Sequence, residues 1–127
     1  MATIAHCDTH VVLWLYAGDI ERFSSHALSA IEKHDLMISP IVRLELEFLH
    51  EIRRVKEKPE RILKTMSVEL GLKVCHDPFE SVVLAAETLH WTRDPFDRLI
   101  VAQALLHHLP LISKDELIRK HYTNCIW

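Results

Sequence analysis

Four carboxylates mark the places where this chain could do chemistry: Asp8, Glu45, Asp97 and Asp115. The densest stretch runs over 91–115, WTRDPFDRLIVAQALLHHLPLISKD, where two acids open an apolar helix and a third follows the next apolar run. Asp94 stands at an N-cap position, Pro95 at the first helical position and Asp97 three residues past the cap. Capping accounts for Asp94. It does not account for Asp97, because the helix beyond it (Phe96, Leu99, Ile100, Val101, Ala102) is apolar around most of its circumference. A carboxylate on a buried helix needs a partner.

The other three are placed by equally local signals. In a helix predicted over 40–54, Ile41, Leu44, Phe48, Leu49 and Ile52 form one apolar stripe at about 100° per residue, and Glu45 falls inside it. Glu45 is therefore expected to face inward, either paired with an arginine or bound to a cation. Asp8 follows the strand-like run 3–7, and Asp115 lies just past the apolar run 111–113. Each could simply cap the helix that follows, but the carboxyl ends of strands in open α/β sheets are also where ligands gather.

These carboxylates have to be positioned by an alternation of strands and helices. Helices are predicted over 10–17 (ended by Gly18), 25–33, 40–54, 59–70 (ended by Gly71), 78–89, 95–106 and 116–121. Short strands are predicted over 3–7, 36–39, 72–75, 111–113 and 124–127. In the helix over 78–89, Phe79, Val82, Val83, Ala86 and Leu89 are expected to face inward. The order β-α-α-β-α-α-β-α-α-β-α-β argues for an α/β fold of three layers, α/β/α, with a short parallel sheet of four to five strands. Right-handed crossovers would bring Asp8 and Asp115 to one sheet edge, onto which the helices of Glu45 and Asp97 also open. Four acids would then share one pocket without an obvious set of basic partners, an unfavourable arrangement unless a positive charge sits among them. All-oxygen ligands suit Mg²⁺ or Mn²⁺ better than zinc, and such a site supports attack of water on a phosphodiester.

Composition narrows the class further. At 127 residues, 49% apolar and with two glycines, the chain reads as a single domain, 1–127, rich in helix. Its 18 acidic and 15 basic residues give a net charge of −3, so no overall positive field would draw in a polyanion. Cys7, Cys75 and Cys125 are odd in number and widely spaced, as expected of buried thiols in a reducing cytosol. The start, MATIAHCD, has no basic leader, and the apolar run 11–17 is too short to span a membrane, so a cytoplasmic protein is expected. The ten histidines show no metal-site spacing backed by other ligands; His107-His108 suits a helix C-terminus, and His6 and His10 flank Asp8. No serine sits in a nucleophile elbow and no glycine-rich phosphate loop is present.

At this point the chain resembles a known family. Asp8-Thr9-His10-Val11-Val12-Leu13-Trp14-Leu15, Ser39 with Glu45 six residues on, Arg93-Asp94-Pro95-Phe96-Asp97-Arg98 followed by Ala102-Gln103-Ala104, and Leu111-Ile112-Ser113-Lys114-Asp115 together resemble the PIN-domain signature. The VapC-type toxins of bacterial toxin–antitoxin pairs are the group it resembles most. The resemblance covers nearly the whole chain. It implies that Asp8, Glu45, Asp97 and Asp115 are catalytic and hold one or two Mg²⁺ ions, Mn²⁺ being a possible substitute. It implies Asp94 as an accessory carboxylate and Ser113, where the family often has threonine, as a hydroxyl orienting an acid or a water. Arg98, with Arg93, would flank the pocket and contact substrate phosphates or pair with a carboxylate. The implied activity is that of an endoribonuclease, a homodimer silenced by a small antitoxin protein.

Two other readings compete with this one. A PIN-like RNA- or protein-binding module with a weak metal site would bind without turnover. A phosphohydrolase with an aspartyl nucleophile at Asp8 would want an Asp-x-Asp pair, and position 10 is His.

Overall fold

A computed structural model of the protein describes residues 3–127; Met1 and Ala2, the first residues of the stretch read for a leader, lie outside it. The chain runs β1 (Thr3–Cys7), α1 (Thr9–Ala17), a 3₁₀ turn (Ile20–Arg22), α2 (Ser25–Lys33), β2 (His34–Ile38), α3 (Pro40–Glu51) and α4 (Pro59–Leu70). It continues β3 (Lys73–Val74), α5 (Phe79–Ala86), α6 (Pro95–Leu106), β4 (Leu111–Ile112), α7 (Glu116–His121) and β5 (Cys125–Ile126). This is the alternation expected from the sequence.

The five strands form one parallel sheet in the order β3-β2-β1-β4-β5. Register is set by His6 opposite Leu111 and Cys7 opposite Ile112 on one side of β1, and by Thr3 opposite His34 on the other. Consecutive strand residues point to opposite faces, yet Ala5, His6 and Cys7 of β1 are all buried, as are Leu111, Ile112 and the following Ser113. Both faces of the sheet are therefore covered by helices, the three-layer arrangement of a parallel sheet. Helix α6 packs on α3 and α5, and α1 packs on α3 and α4. Because the chain winds first from β1 toward β3 and then returns to β4 on the other side, the order of strands reverses between β1 and β4. A crevice opens at the carboxyl ends of the strands at that point.

Local sequence explains where the helices begin and end. Asp8, Ser24, Ser39, Asp94 and Asp115 each accept a backbone N–H of the first turn of the helix they precede. Gly18 and Gly71 terminate α1 and α4 at φ of 74° and 68°, a left-handed conformation that glycine adopts without a Cβ clash.

The structure corrects three expectations. Helix α3 stops at Glu51 rather than running to 54, because Arg53 turns to φ 64° and the amides of Arg54 and Val55 fold back onto the Leu49 carbonyl. Its core face is Val42, Leu46 and Leu49, whereas Leu44, Phe48 and Ile52 of the expected stripe are 45–56% exposed. At the start of α5, Phe79 is 70% exposed, since the inner face of that helix is carried by Val82 and Ala86. The three cysteines are free thiols, Cys7 and Cys75 buried and Cys125 half-buried in the edge strand β5. None of the described helices is long and apolar enough to cross a membrane.

Candidate active site

Asp8, Glu45, Asp94, Asp97 and Asp115 all line one cavity of about 450 Å³ at the carboxyl edge of the sheet, together with Thr9, His10, Trp14, Ile100 and Lys114. The five acids arrive from four places in the chain. Asp8 and Asp115 leave the ends of the adjacent strands β1 and β4, Glu45 sits in α3, and Asp94 and Asp97 open α6.

Asp8 is the most constrained. One carboxylate oxygen accepts the Val11 amide at 2.9 Å as the cap of α1, and the other accepts the hydroxyl of Ser113, which is fully buried. The Ser113 hydroxyl in turn accepts the Asp115 amide at 3.1 Å, so one oxygen braces both strand-end acids. Burial raises the Asp8 pKa, partly offset by the Ser113 and Val11 hydrogen bonds. Asp115 caps α7 through the Ile118 amide at 2.9 Å, and its second oxygen has no donor among the described residues. Glu45 accepts the Thr9 hydroxyl through Oε1, and burial raises its pKa against that hydrogen bond.

Asp97 is the exception. Among the described residues its carboxylate receives no hydrogen bond and makes no ion pair, while Asp94 takes the N-terminal amides of α6 at 2.8 and 3.3 Å. Burial first, and then repulsion from Asp94, Asp115, Glu45 and Asp8, lifts its pKa to about 7. A carboxyl among like charges with nothing to neutralise it is the arrangement a bound cation relieves. No three His, Cys, Asp or Glu side chains among the described residues form a ready metal cage. The set nevertheless fits a hard ion such as Mg²⁺, which keeps several waters and takes only one or two carboxylates directly, and whose preferred donors are oxygens.

Arg98 is not in the cavity. Its guanidinium donates to the Ala86 carbonyl at 3.0 and 3.4 Å, tying α6 to the end of α5, and Arg93 is exposed and does not line the cavity either. The cation that does line it is Lys114, which the sequence reading passed over, along with Thr9 in its role toward Glu45. The position of Lys114, between a strand-end hydroxyl and a strand-end acid, was the available signal. His10, in the first turn of α1, lines the cavity beside Asp8; His6, in β1, is buried with its Nε2 3.5 Å from the Cys75 sulfur.

Fold and site together define a parallel α/β protein with an acidic, hydroxyl-braced crevice where its strand order reverses. The family model of the PIN domain matches residues 6–123, and the chain belongs to that family. The ribonuclease VapC22 of Mycobacterium tuberculosis is 32% identical over 116 residues, spanning 90% of this chain and 88% of that protein. The same fold occurs in VapBC2 from Rickettsia felis bound to a DNA fragment from its promoter (TM-score 0.63, 14% identity, 97% of this chain and 96% of that one). It also occurs in a toxin–antitoxin complex from Klebsiella pneumoniae (TM-score 0.64, 16% identity, 97% and 96%).

Proposed function

We propose that this protein is a Mg²⁺-dependent endoribonuclease, the toxin of a toxin–antitoxin pair, folded as one domain over 1–127. The observation that carries the reading is the Asp97 carboxylate, which has no hydrogen-bond or ion-pair partner among the described residues and is held with Asp8, Glu45 and Asp115 around one cavity. Membership of the PIN family and the likeness to a ribonuclease support it.

In this reading Asp8, Glu45, Asp97 and Asp115 hold the ion, with Mn²⁺ able to replace Mg²⁺, and Asp94 adds negative charge at the cavity mouth. When bound, the ion supplies positive charge to the phosphate oxygens and lowers the pKa of a water. The chain's own residues do the rest. Ser113 fixes the Asp8 carboxylate, and Thr9 fixes Glu45 through Oε1, leaving Oε2 with no hydrogen bond among the described residues and able to face the ion or its water. Position 10 is His where an aspartyl nucleophile at Asp8 would want a second aspartate, which disfavours the aspartyl-phosphate reading.

The exposed apolar side chains of α3 (Leu44, Phe48, Ile52), with Phe79 of α5, which lines one groove with Leu44, support a protein partner on that side: an antitoxin or a second copy in a homodimer. The free thiols support a reducing, cytoplasmic setting. A catalytically weak PIN-like module that binds RNA or protein without turnover is the second reading.

Cleavage of total cellular RNA, including tRNA, by the purified protein separates the two. Discrete fragments with Mg²⁺ or Mn²⁺ that vanish with EDTA and in Asp97→Asn are expected. Binding without cleavage would overturn the nuclease reading, and equal cutting by Asp97→Asn would overturn the assignment of the site or reveal a contaminant.

A further inference from the structure

Lys114 lines the same cavity as five carboxylates and is adjacent in sequence to one of them, yet among the described residues no acidic oxygen lies within 4.0 Å of its ammonium. A lysine left free in such surroundings would ordinarily collapse onto an acid. Here its Nζ stands 6.0 Å from the centre of the Trp14 ring, a cation–π contact. The ring is held in place by its neighbours: Phe23 meets it edge-on at 6.0 Å and 81°, and Trp127 at 6.0 Å and 61°. Phe23 and Trp127 also pack on each other at 5.4 Å. Trp14 therefore presents a fixed surface beside the acids. A second cation, Arg22, lies 5.5 Å from the same ring centre but is drawn to Asp19 at 3.5 Å, so Lys114 is the one without a counter-ion.

Resting on the nuclease reading above, we propose that Lys114, parked on the Trp14 indole and withheld from the acids, is the substrate-binding residue that receives the phosphate of a single-stranded RNA at the cavity mouth. The acids alone would repel a polyanion, and the net charge of the chain does nothing to offset that. Lys114 leaves β4 between Ser113, which orients Asp8, and Asp115, so a phosphate on its ammonium is held next to the strand-end carboxylates. Trp14 is a positioning residue. Its ring keeps the ammonium from neutralising the acids that a metal needs ionised.

The test compares wild type, Lys114→Met and Lys114→Arg on a defined single-stranded RNA oligonucleotide. Cleavage is followed in Mg²⁺, and RNA affinity is measured separately in an Asp97→Asn background as a function of salt. Lys114 is exposed, so the substitutions spare the core, and equal Tm values check this. Lys114→Met should weaken RNA affinity and raise KM about tenfold, with the loss falling on KM rather than kcat, and Lys114→Arg should restore most of it. The slope of log affinity against log salt should fall by about 0.7, the loss of one phosphate contact on a single strand. Unchanged affinity and salt slope in Lys114→Met, with an altered Mg²⁺ requirement instead, would overturn the proposal and make Lys114 a charge-balancing residue of the acids. If the wild type does not cleave, the nuclease reading fails, while the affinity arm still decides whether Lys114 contacts phosphate.

Discussion

Ser113, at the exit of β4, donates its hydroxyl to the Asp8 carboxylate at the exit of β1, joining residues 105 positions apart across the point where the strand order reverses. Ser113 is fully enclosed and Asp8 only 7% exposed, so the bond stands in for much of the hydration the two groups lose on folding. Ser113→Ala would leave one Asp8 oxygen and the Asp115 amide without their partner. A loss of about 1–3 kcal/mol is expected, read as a lower denaturation midpoint, because an unmet buried acceptor bears its full desolvation cost. Ser113→Thr keeps the hydroxyl and should retain most of the stability and of the Mg²⁺-dependent cleavage. Equal stability of the Ala and Thr variants would show that the brace is inert.

Asp97 makes a pH-dependent prediction whose sign is opposite to that of a salt-bridged carboxylate. Its folded pKa of about 7 lies above the ordinary 3.8, so the folded state holds the proton more tightly than the unfolded one. Its stabilising contribution is complete below about pH 4 and is lost as pH rises through 7. Burial of His6 lowers its pKa from 6.5 to about 4, which acts in the other direction in acid, so the wild-type profile alone mixes the two. The difference between Asp97→Asn and wild type isolates Asp97. Without metal, Tm of the variant relative to wild type should rise by roughly 2–6 °C between pH 5 and pH 8. A flat difference would mean that the carboxyl titrates near its ordinary value.

How much of this could be read in advance depended on whether one local signal determined the outcome. The caps Asp8, Asp94 and Asp115 act within one helical turn, and a parallel three-layer arrangement follows from the alternation of elements, so the fold class and the meeting of the acids were legible, while the order of strands was not. Helix α3 was not, because it carries two apolar faces. Val42, Leu46 and Leu49 enter the core, while Leu44, Phe48 and Ile52 repeat at the same helical spacing on the outside, where Phe48 stacks on Phe96 at 6.0 Å. Periodicity finds a stripe but cannot say which stripe meets the sheet. Arg98 follows the same logic. Its place beside Asp97 in sequence put it near the pocket, but one further step around α6 turned it onto the Ala86 carbonyl.

Metal binding should be coupled to the same proton. At pH 8 Asp97 is ionised and repelled by its neighbours, so a divalent cation relieves the strain and binds the folded state alone. Mg²⁺ at about 100 times its Kd should stabilise the protein by about 2.7 kcal/mol. Two or more pH units below 7, the ion must displace the Asp97 proton, and the Tm rise should shrink. In Asp97→Asn it should be small at either pH. A Mg²⁺-induced rise of equal size in wild type and Asp97→Asn would place the ion elsewhere.

Behind the pocket, Gln103 links the two helices that carry Glu45 and Asp97. It is 2% exposed, its amide nitrogen donates to Asp77 at 2.6 Å, and its carbonyl accepts the hydroxyl of Ser39 at 3.1 Å. Ser39 is the N-cap of α3, so the chain of bonds runs from the middle of α6 to the start of α3. Asp77 is also held by His107 at 2.7 Å, and that bond, with the one from Gln103, lowers its pKa despite some burial. Gln103→Leu fills a similar volume but leaves the Ser39 O–H without its acceptor and one Asp77 oxygen without its donor, although the Ser39 oxygen still accepts the Ile41 amide. Of these, only Ser39 is fully enclosed, so a loss near the lower end of about 1–3 kcal/mol is expected. Because Gln103 does not line the cavity, its loss should act through helix placement: cleavage should fall with the Mg²⁺ concentration for half-maximal activity raised, and saturating Mg²⁺ should recover part of the rate. A stability loss with no change in the Mg²⁺ requirement would show that the spacing of α3 and α6 is set by their apolar contacts alone.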